Sequence, residues 1–440
     1  MEKQKSENKE KTPRILVVGG GAAGMMAALF AVGEGHSVHL FEQNEKLGKK
    51  LFITGKGRCN FTNACSREEM LANVISNPRF LYSSIQRWDS DDSQRFFTRL
   101  GVPVKVERGN RAFPASDHSS DIIRALEKAL RDSGVVIHLR SKVAGICLEE
   151  DPASAAPGKR AVGVRLDNGA VIRGASVILA GGGLSYPSTG ASGDGLRFAA
   201  DAGHTVTACR PALVPLETRE SWVPTLQGLS LRNVTLTVAY GKKKKYEAFG
   251  EMLFTHFGIS GPLVLSASSV IGKELEKGPL QAWINLKPAL DEAQLDARLL
   301  REFEQAPNRA FRNAAASLFP AKLLPVMVEL SGIPQDTPAR EITHAQRQQF
   351  LQLIRHLPMT LTGTRSFREA IITQGGVNVR EVDPATMESK KVRGLYLCGE
   401  MLDLDALTGG FNLQIAWTTG HAAGQAAAAA LQGLTMTGIL

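Results

Sequence analysis

Hydrophobic positions fall in short runs whose spacing changes along the chain. Residues 14–18 (RILVV) form a continuous apolar run ending in glycines, which predicts a strand buried on both faces of a parallel sheet. Small and apolar residues without proline from 22 to about 34 predict a helix, and the run SVHLFE at 37–42 predicts a second strand. A βαβ unit therefore opens the chain. A helix-rich stretch follows to about residue 133 and closes on DIIRALEKALRDSG, whose final glycine suits a helix C-terminus. Three strand-like runs come next, VVIHLR, VGVRLDNGAVIRG and ASVILAGGG. Asn168-Gly169 between alternating residues predicts a hairpin turn.

Period-two alternation takes over from about Thr205 to Leu286, in runs such as VTLTVAY and MLFTHFGIS, and predicts an antiparallel sheet or small barrel. Beyond residue 289 the helical period returns, clearest in EAQLDARLLREFEQ and AQRQQFLQLIRH. Strand character reappears at 359–383. The chain closes on GLYLCGE, a glycine-bearing loop and a long alanine-rich helix. That ending matches the opening in style and differs from the middle. The predicted class is α/β: a tail at 1–13, a nucleotide-binding domain made from 14–204 and 359–440, a β-rich substrate domain at 205–288, and a helical insertion at 289–358.

Composition narrows the classes. At 440 residues the chain is too long for one ordinary core, and 43% hydrophobic with 22% charged residues are globular values. No stretch reaches the ~18 uninterrupted apolar residues of a membrane span. The first dozen residues, MEKQKSENKEKT, lack the apolar core of a secretory signal. Cys59, Cys65, Cys147, Cys209 and Cys398 are odd in number and form no CxxC pair, so neither a disulfide framework nor a metal site is expected, and the protein reads as cytoplasmic. The formal charge of +9 admits a polyanionic partner but reports chiefly on solubility and steering.

The sharpest local pattern is Gly19-Gly20-Gly21-Ala22-Ala23-Gly24, a GxGxxG placed between strand and helix. Gly19 permits the tight turn, Gly21 lets backbone approach a pyrophosphate, and Gly24 allows helix and strand to pack closely. The helix start supplies oriented N–H groups to the phosphates. Glu42, ending the next strand, stands where an acid accepts the adenosine ribose hydroxyls. At the far end, Gly399-Glu400 follows a strand and Gly409-Gly410 opens a helix through Phe411, Asn412, Leu413 and Gln414. Such a helix start can face the N1/O2 edge of an isoalloxazine, which becomes negative on reduction. No second GxGxxG marks a separate nicotinamide domain. FAD is the predicted cofactor, with NAD(P)H as a transient reductant.

Four segments, LGKKLFITGKGRCNFTNA, AGGGLSYPSTGASGDG, LFTHFGISGP and TMESKKVRGLYLCGEMLDLDALTGGFNLQIAW, resemble signatures of the BaiN/RdsA flavoproteins. That bacterial family is associated with bile-acid enone reduction, aminoacetone oxidation and ribosomal RNA uridine reduction. The resemblance runs from about Arg14 to Gly424. It implies a Rossmann-like FAD-binding domain of glutathione-reductase type, an inserted β-barrel-like domain and a small helical insertion. It places Gly19, Gly21, Ala22, Ala23, Gly24, Glu42 and Lys50 at the adenosine diphosphate half, with Val143 at adenine through its backbone. Ala180, Gly181 and Gly182 become a second flavin-contact strand end, although this sequence has Ala-Gly-Gly where the family commonly has Ala-Thr-Gly-Gly. Glu400 and Asp403 fall at the ribityl or pyrophosphate region, with Gly410, Asn412, Leu413 and Gln414 at the ring.

The remaining candidates concern chemistry. The glycines of residues 54–60, among them Gly57, allow approach to a ring face, and Arg58 or Asn60 can steady a developing oxyanion. Cys59, His256 and Tyr186 are the candidate proton donors, each with a plain structural alternative. The favoured reaction is reduction of an alkene conjugated to a carbonyl in a small molecule such as a steroid enone. The uracil 5,6 double bond suits the same chemistry, and an amine oxidase is a third class. Lys242, Lys243, Lys244 and Lys245 form a basic run between strands. It is read as a solvated hairpin tip or, alternatively, as a phosphate contact on ribosomal RNA flanked by Tyr240 and Tyr246.

Overall fold

The structure is a computed structural model that describes residues 12–151, 158–305 and 307–437, with side chains as far as residue 432. The expected tail lies outside the described residues except at 12 and 13. The chain divides into two compact units, Met1–Arg210 with Ile371–Leu440, and Pro211–Ala370.

In the first unit β1 (Arg14–Val18) leads through α1 (Ala22–Phe30) to β2 (Ser37–Phe41). A short helix α2 (Lys49–Ile53), the strand β3 (Thr62–Asn63) and helices α3 (Arg67–Ala72), α4 (Tyr82–Arg87) and α5 (Ser90–Arg99) follow. Next come β4 (Val104–Glu107), β5 (Arg111–Pro114), α6 (Ser119–Asp132) and β6 (Val136–His138). Then β7 (Val143–Glu150), β8 (Lys159–Leu166) and β9 (Val171–Arg173) precede β10 (Ser176–Leu179), α7 (Asp194–Asp201) and β11 (Val206–Ala212).

The second unit holds β12 (Leu216–Thr218), β13 (Ser230–Tyr240), β14 (Lys243–Phe254), β15 (Gly258–Ser260), α8 (Pro262–Leu275) and β16 (Leu280–Asn285). Helices α9 (Glu292–Glu304), α10 (Phe311–Ala314), α11 (Leu324–Ser331) and α12 (His344–Arg355) lead to β17 (Leu357–Thr364). The chain returns to the first unit with β18 (Ile372–Val377), β19 (Val392–Arg393), β20 (Leu395–Leu397) and the long α13 (Phe411–Thr437).

The central sheet runs β20-β10-β1-β2-β6, with every pair parallel. In its inner strand β1 the four residues Ile15 to Val18 are apolar and buried, as burial under helices on both faces requires. From β1 the chain crosses to β2 on one side, whereas β10 and β20 lie on the other. The strand order thus reverses beside β1, and open α/β sheets bind ligands outside the carboxyl ends of the strands at such a point. Helix α13 crosses α1 at close range. A Cβ on Gly420 would stand 2.4 Å from the Ala23 carbonyl oxygen, and one on Gly424 2.3 Å from that of Ala27, so only bare backbone permits this contact. The two ends of the sequence therefore build one layer.

The second unit is a closed six-stranded barrel, β12-β15-β14-β13-β16-β17, filled by Leu216, Leu236, Phe254, Ile284, Met359 and other apolar side chains. Three features depart from the expected organisation. The stretch before residue 133 contains the antiparallel sheet β3-β5-β4, whose strands of two to four residues are too short to show a period. Helix α8 interrupts the β-rich segment, burying Leu263, Val264, Ala267, Ile271 and Leu275 at helical spacing. Strand β17 belongs to the barrel rather than to the nucleotide-binding domain, because Leu357, Met359 and Leu361 alternate into its core and β17 pairs with both β16 and β12. The unit boundaries accordingly fall at 210 and 371 rather than 204 and 359.

Candidate cofactor site

The turn after β1 shows what each glycine does. Gly19 (φ 107°) lies against β10: a Cβ there would stand 2.4 Å from the Ala180 carbonyl oxygen. At Gly24 a Cβ would sit 1.8 Å from the Gly19 oxygen. At Gly21, by contrast, it would meet nothing within 4 Å, so the turn leaves a cradle open above the start of α1. No acidic residue occupies the first turn of α1 to oppose an anion at the helix's positive end. Ala22 and Ala23 begin that helix.

Glu42 is buried at the end of β2. One carboxylate oxygen accepts the Gly20 N–H at 2.8 Å, and the other accepts the N–H (2.8 Å) and Nδ2 (2.7 Å) of Asn44. Three of about four lone-pair positions are thereby used, leaving one for a hydroxyl. Val143 starts β7 close by in the chain from Ser141, whose N–H donates to the Glu42 carbonyl at 2.9 Å. Asp194, which the sequence reading passed over, opens α7 at this edge 3.6 Å from Lys142. Its helix packs so closely that a Cβ on Gly181 would lie 2.8 Å from Gly195 Cα. Gly182 has φ 69° and open space at its Cβ position.

The second turn is stitched by side chains. Asn63 Nδ2 donates to the Gly409 carbonyl at 3.0 Å, and a Cβ on Gly410 would strike the Thr62 carbonyl at 2.4 Å. Asn412 holds the preceding loop, accepting the Ala406 N–H at 2.9 Å and donating to the Ala406 carbonyl at 2.7 Å. Trp417 Nε1 donates to the Phe61 carbonyl at 2.8 Å. Leu413 is half-buried against the core. The turn also borders Asn60 Oδ1, a buried oxygen without a hydrogen-bond partner among the described residues, 2.9 Å from a Cβ built on Gly410.

Lys50 and Glu400 meet between these turns. Lys50 Nζ lies 2.5 Å from Glu400 Oε2 and donates to Ser185 Oγ at 2.6 Å. Glu400 Oε1 accepts from Ser185 Oγ at 2.7 Å and the Thr373 N–H at 2.9 Å. Asp403 is fixed by backbone, its N–H donating to the Val377 carbonyl at 2.9 Å.

Several predicted side chains do other work. Gln414 does not offer its carboxamide to a ring: it is fully buried, with Oε1 accepting from Thr62 Oγ1 at 2.6 Å and lying 2.9 Å from Ser93 Oγ, and Nε2 donating to Thr418 Oγ1 at 3.0 Å. Cys59, expected as a proton donor, is a buried residue of the core. Protein alone encloses it completely, and burial pushes its thiol up to about 12. Arg58, expected to steady an oxyanion, is engaged by two carboxylates. Its guanidinium lies 2.5 Å from Glu107 and 2.6 Å from Asp117, stacked 4.2 Å above the Phe113 ring. Asn60 remains half-exposed beside the second turn, and Gly57 (φ 88°) lies in the short segment before it. Tyr186 (φ 54°) lies in the loop after β10. His256 belongs to the second unit, exposed in the bend between β14 and β15 with its ring 4.9 Å from that of Phe257.

The residues present thus fit a dinucleotide with an adenosine at Glu42 and a ring at the second turn: an open cradle at Gly21, two helix starts free of acids, and an orphaned acceptor at Asn60. The model of the family described as HI0933-like protein Rossmann domain matches residues 13–426. The chain belongs to this family. A 3-dehydro-bile acid delta(4,6)-reductase from Clostridium scindens is 34% identical over 421 residues, 94% of this chain and 99% of the relative. A ribosomal RNA dihydrouridine synthase from Haemophilus influenzae is 31% identical over 92% of this chain and 96% of its own. The solved 3-ketosteroid delta1-dehydrogenase from Sterolibacterium denitrificans aligns with TM-score 0.51 at 14% identity, covering 95% of this chain and 100% of that one, which shows the shared fold. This member of the HI0933-like family is an α/β protein whose Rossmann domain is of the FAD-binding type, with a six-stranded barrel inserted. No helix among the described residues is long and apolar enough to cross a membrane.

Proposed function

We propose that this chain is an FAD-dependent oxidoreductase that uses NAD(P)H to reduce a carbon–carbon double bond conjugated to a carbonyl in a steroid- or bile-acid-like enone. The observation that carries the reading is the end-to-end match to the 3-dehydro-bile acid delta(4,6)-reductase, which leaves neither chain with an unmatched domain. Bound FAD supplies two-electron transfer to the β carbon of the alkene. The chain's own residues bind and orient. The cradle at Gly21 and the start of α1 take the pyrophosphate, and Glu42 takes the ribose. The start of α13, free of acids, would offer its positive end to the ring, which gains negative charge on reduction. Asn60 steadies the substrate carbonyl, and Tyr186, in the same unit, supplies the proton. The five cysteines are all free, which suits the reducing cytoplasm.

The second reading, reduction of uridine in ribosomal RNA, is favoured by the second relative and by the exposed Lys242 and Lys243. The hairpin tip is only half available, however. Lys244 pairs with Glu247 at 2.9 Å and Lys245 with Glu274 at 2.6 Å, and Tyr246 donates its hydroxyl to the Leu263 carbonyl at 3.1 Å. The small-molecule reading therefore stands first.

Purified protein is expected to be yellow, to bleach anaerobically with NADPH or NADH, and to recover its colour with a Δ4-3-keto steroid. Colourless protein that takes up no FAD, or bleaching by an amine and by neither nicotinamide, would overturn the proposal. Recovery with ribosomal RNA and not with enones, together with salt-sensitive RNA binding lost in Lys242→Ala/Lys243→Ala, would select the second reading.

A further inference from the structure

We infer that residues 183–193 form a strap across the cofactor cleft, hinged on its β20 side and fastened by Gln43 on its β2 side, and that this strap sets how fast the cofactor enters and leaves. The inference rests on the FAD reading above. The strap leaves the end of β10 and is first held beside β18 and β20. Thr373 Oγ1 accepts the N–H groups of Leu184 (2.7 Å) and Ser185 (3.2 Å), and the Ser185 hydroxyl donates to Glu400. It then passes to the opposite side, where Gln43 Nε2 donates to the Gly190 carbonyl at 2.7 Å and Asn44 Nδ2 to the Thr189 carbonyl at 3.1 Å. Gln43 and Asn44 directly follow β2, and in the sheet order β10 and β1 lie between the two anchorages. The ends of those two strands carry Ala180 and the Gly19-to-Gly24 turn, so the strap crosses the mouth of the cradle. Lys50, which also follows β2, reaches over to Ser185 and Glu400 as a second bridge.

The two anchorages differ in strength. On the β20 side Ser185 is fully buried and joined to a charged cluster. On the β2 side neutral carboxamides of half-exposed residues each make one bond to a carbonyl of the strap. Opening therefore starts at Thr189 and Gly190. Glycine is required at 190, where φ is 100° and a Cβ would lie 2.6 Å from Asn44 Nδ2; Gly193 (φ 79°) provides a second bend at the return to α7.

The test is the kinetics of FAD exchange in the whole protein carrying Gln43→Ala, read by the fluorescence of released and rebound flavin. Asn44 stays in place because it also holds Glu42. Both release and uptake are expected to quicken by about five- to tenfold, the weight of one hydrogen bond, while Kd moves by less than about twofold. Gln43→Met, which keeps the length of the side chain, is expected to behave likewise. Unchanged rates in both variants would overturn the strap. So would faster release alone with Kd weakened in proportion, since that marks a direct ligand contact. Wild-type protein that binds no FAD would overturn the cofactor reading itself.

Discussion

The two glycine turns of the cofactor site reach similar ends by different means. The turn after β1 is held by what its residues lack: at Gly19 and Gly24 backbone stands where a side chain would be, and at Gly21 nothing does. The turn before α13 is held by what distant residues provide, with Asn63 bonding Gly409 and Thr62 and Ser93 beside Gln414. The first turn is thus a local property of six consecutive residues. The second exists only once segments more than 300 residues apart have met. Damage to the first should act through steric conflict, and damage to the second through unsatisfied polar groups.

The largest effect is expected from Gly24→Val, whose Cβ would meet the Gly19 oxygen at 1.8 Å. A loss above about 4 kcal/mol should leave no folded, flavin-binding protein, measured by circular dichroism and bound flavin. Gly21→Ala sharpens the contrast within the same turn. It should melt within about 0.5 kcal/mol of wild type yet bind FAD more weakly, because its methyl intrudes only on the open cradle. At the other turn, Gln414→Leu leaves the buried Thr62 hydroxyl with only a 3.4 Å contact to Ser90 Oγ and should cost about 1–3 kcal/mol by chemical denaturation.

The pH response separates the regions next. His421 in α13 is held near 4 by burial against Phe30 and Trp88, and so stays neutral in the folded protein, whereas in the unfolded chain it charges near 6.5. The unfolded state therefore takes up the proton first. The stabilisation is complete above about pH 6.5 and is lost as pH falls toward 4. His421→Phe should flatten the melting temperature in that window. His39, held near 4 by burial and by His138 at 3.0 Å, adds a slope of the same sign that this substitution leaves intact. The smallest effect is expected from Arg58→Gln. Its half-exposed ion pairs with Glu107 and Asp117 are screened by water and contribute little, and turnover should hold within a few-fold. A hundredfold fall in kcat would return Arg58 to the chemistry.

These contrasts explain what the sequence made readable. The βαβ opening, the hairpin at Asn168-Gly169 and the terminal helix were legible because each depends on residues adjacent in the chain. The region from Arg58 to Asn60 was legible as unusual but not as to role. Cys59 adopts φ 57°, which sends its side chain into the core while its neighbour Arg58 pairs with carboxylates 49 and 59 positions away. Nothing local marks Gln43, Ser185 or Thr373, since each acts on a carbonyl, carboxylate or amide supplied by another part of the fold. Gln414 shows the same limit from the other side. A polar residue at a helix start is as well suited to bracing the fold as to meeting a ligand, and only its partners decide.

The crossing of α1 and α13 also bears on how the protein is made. Helix α1, which leaves the ribosome before α13, has Met25, Met26 and Ala27 buried, and Gly420 and Gly424 of α13 press against its backbone. Until α13 is synthesised, the opening layer lacks its cover, so this unit matures only after α13 has emerged while the intervening barrel is free to fold earlier. A nascent chain arrested before α13 would present a bare apolar helix face, a natural target for chaperones and proteases.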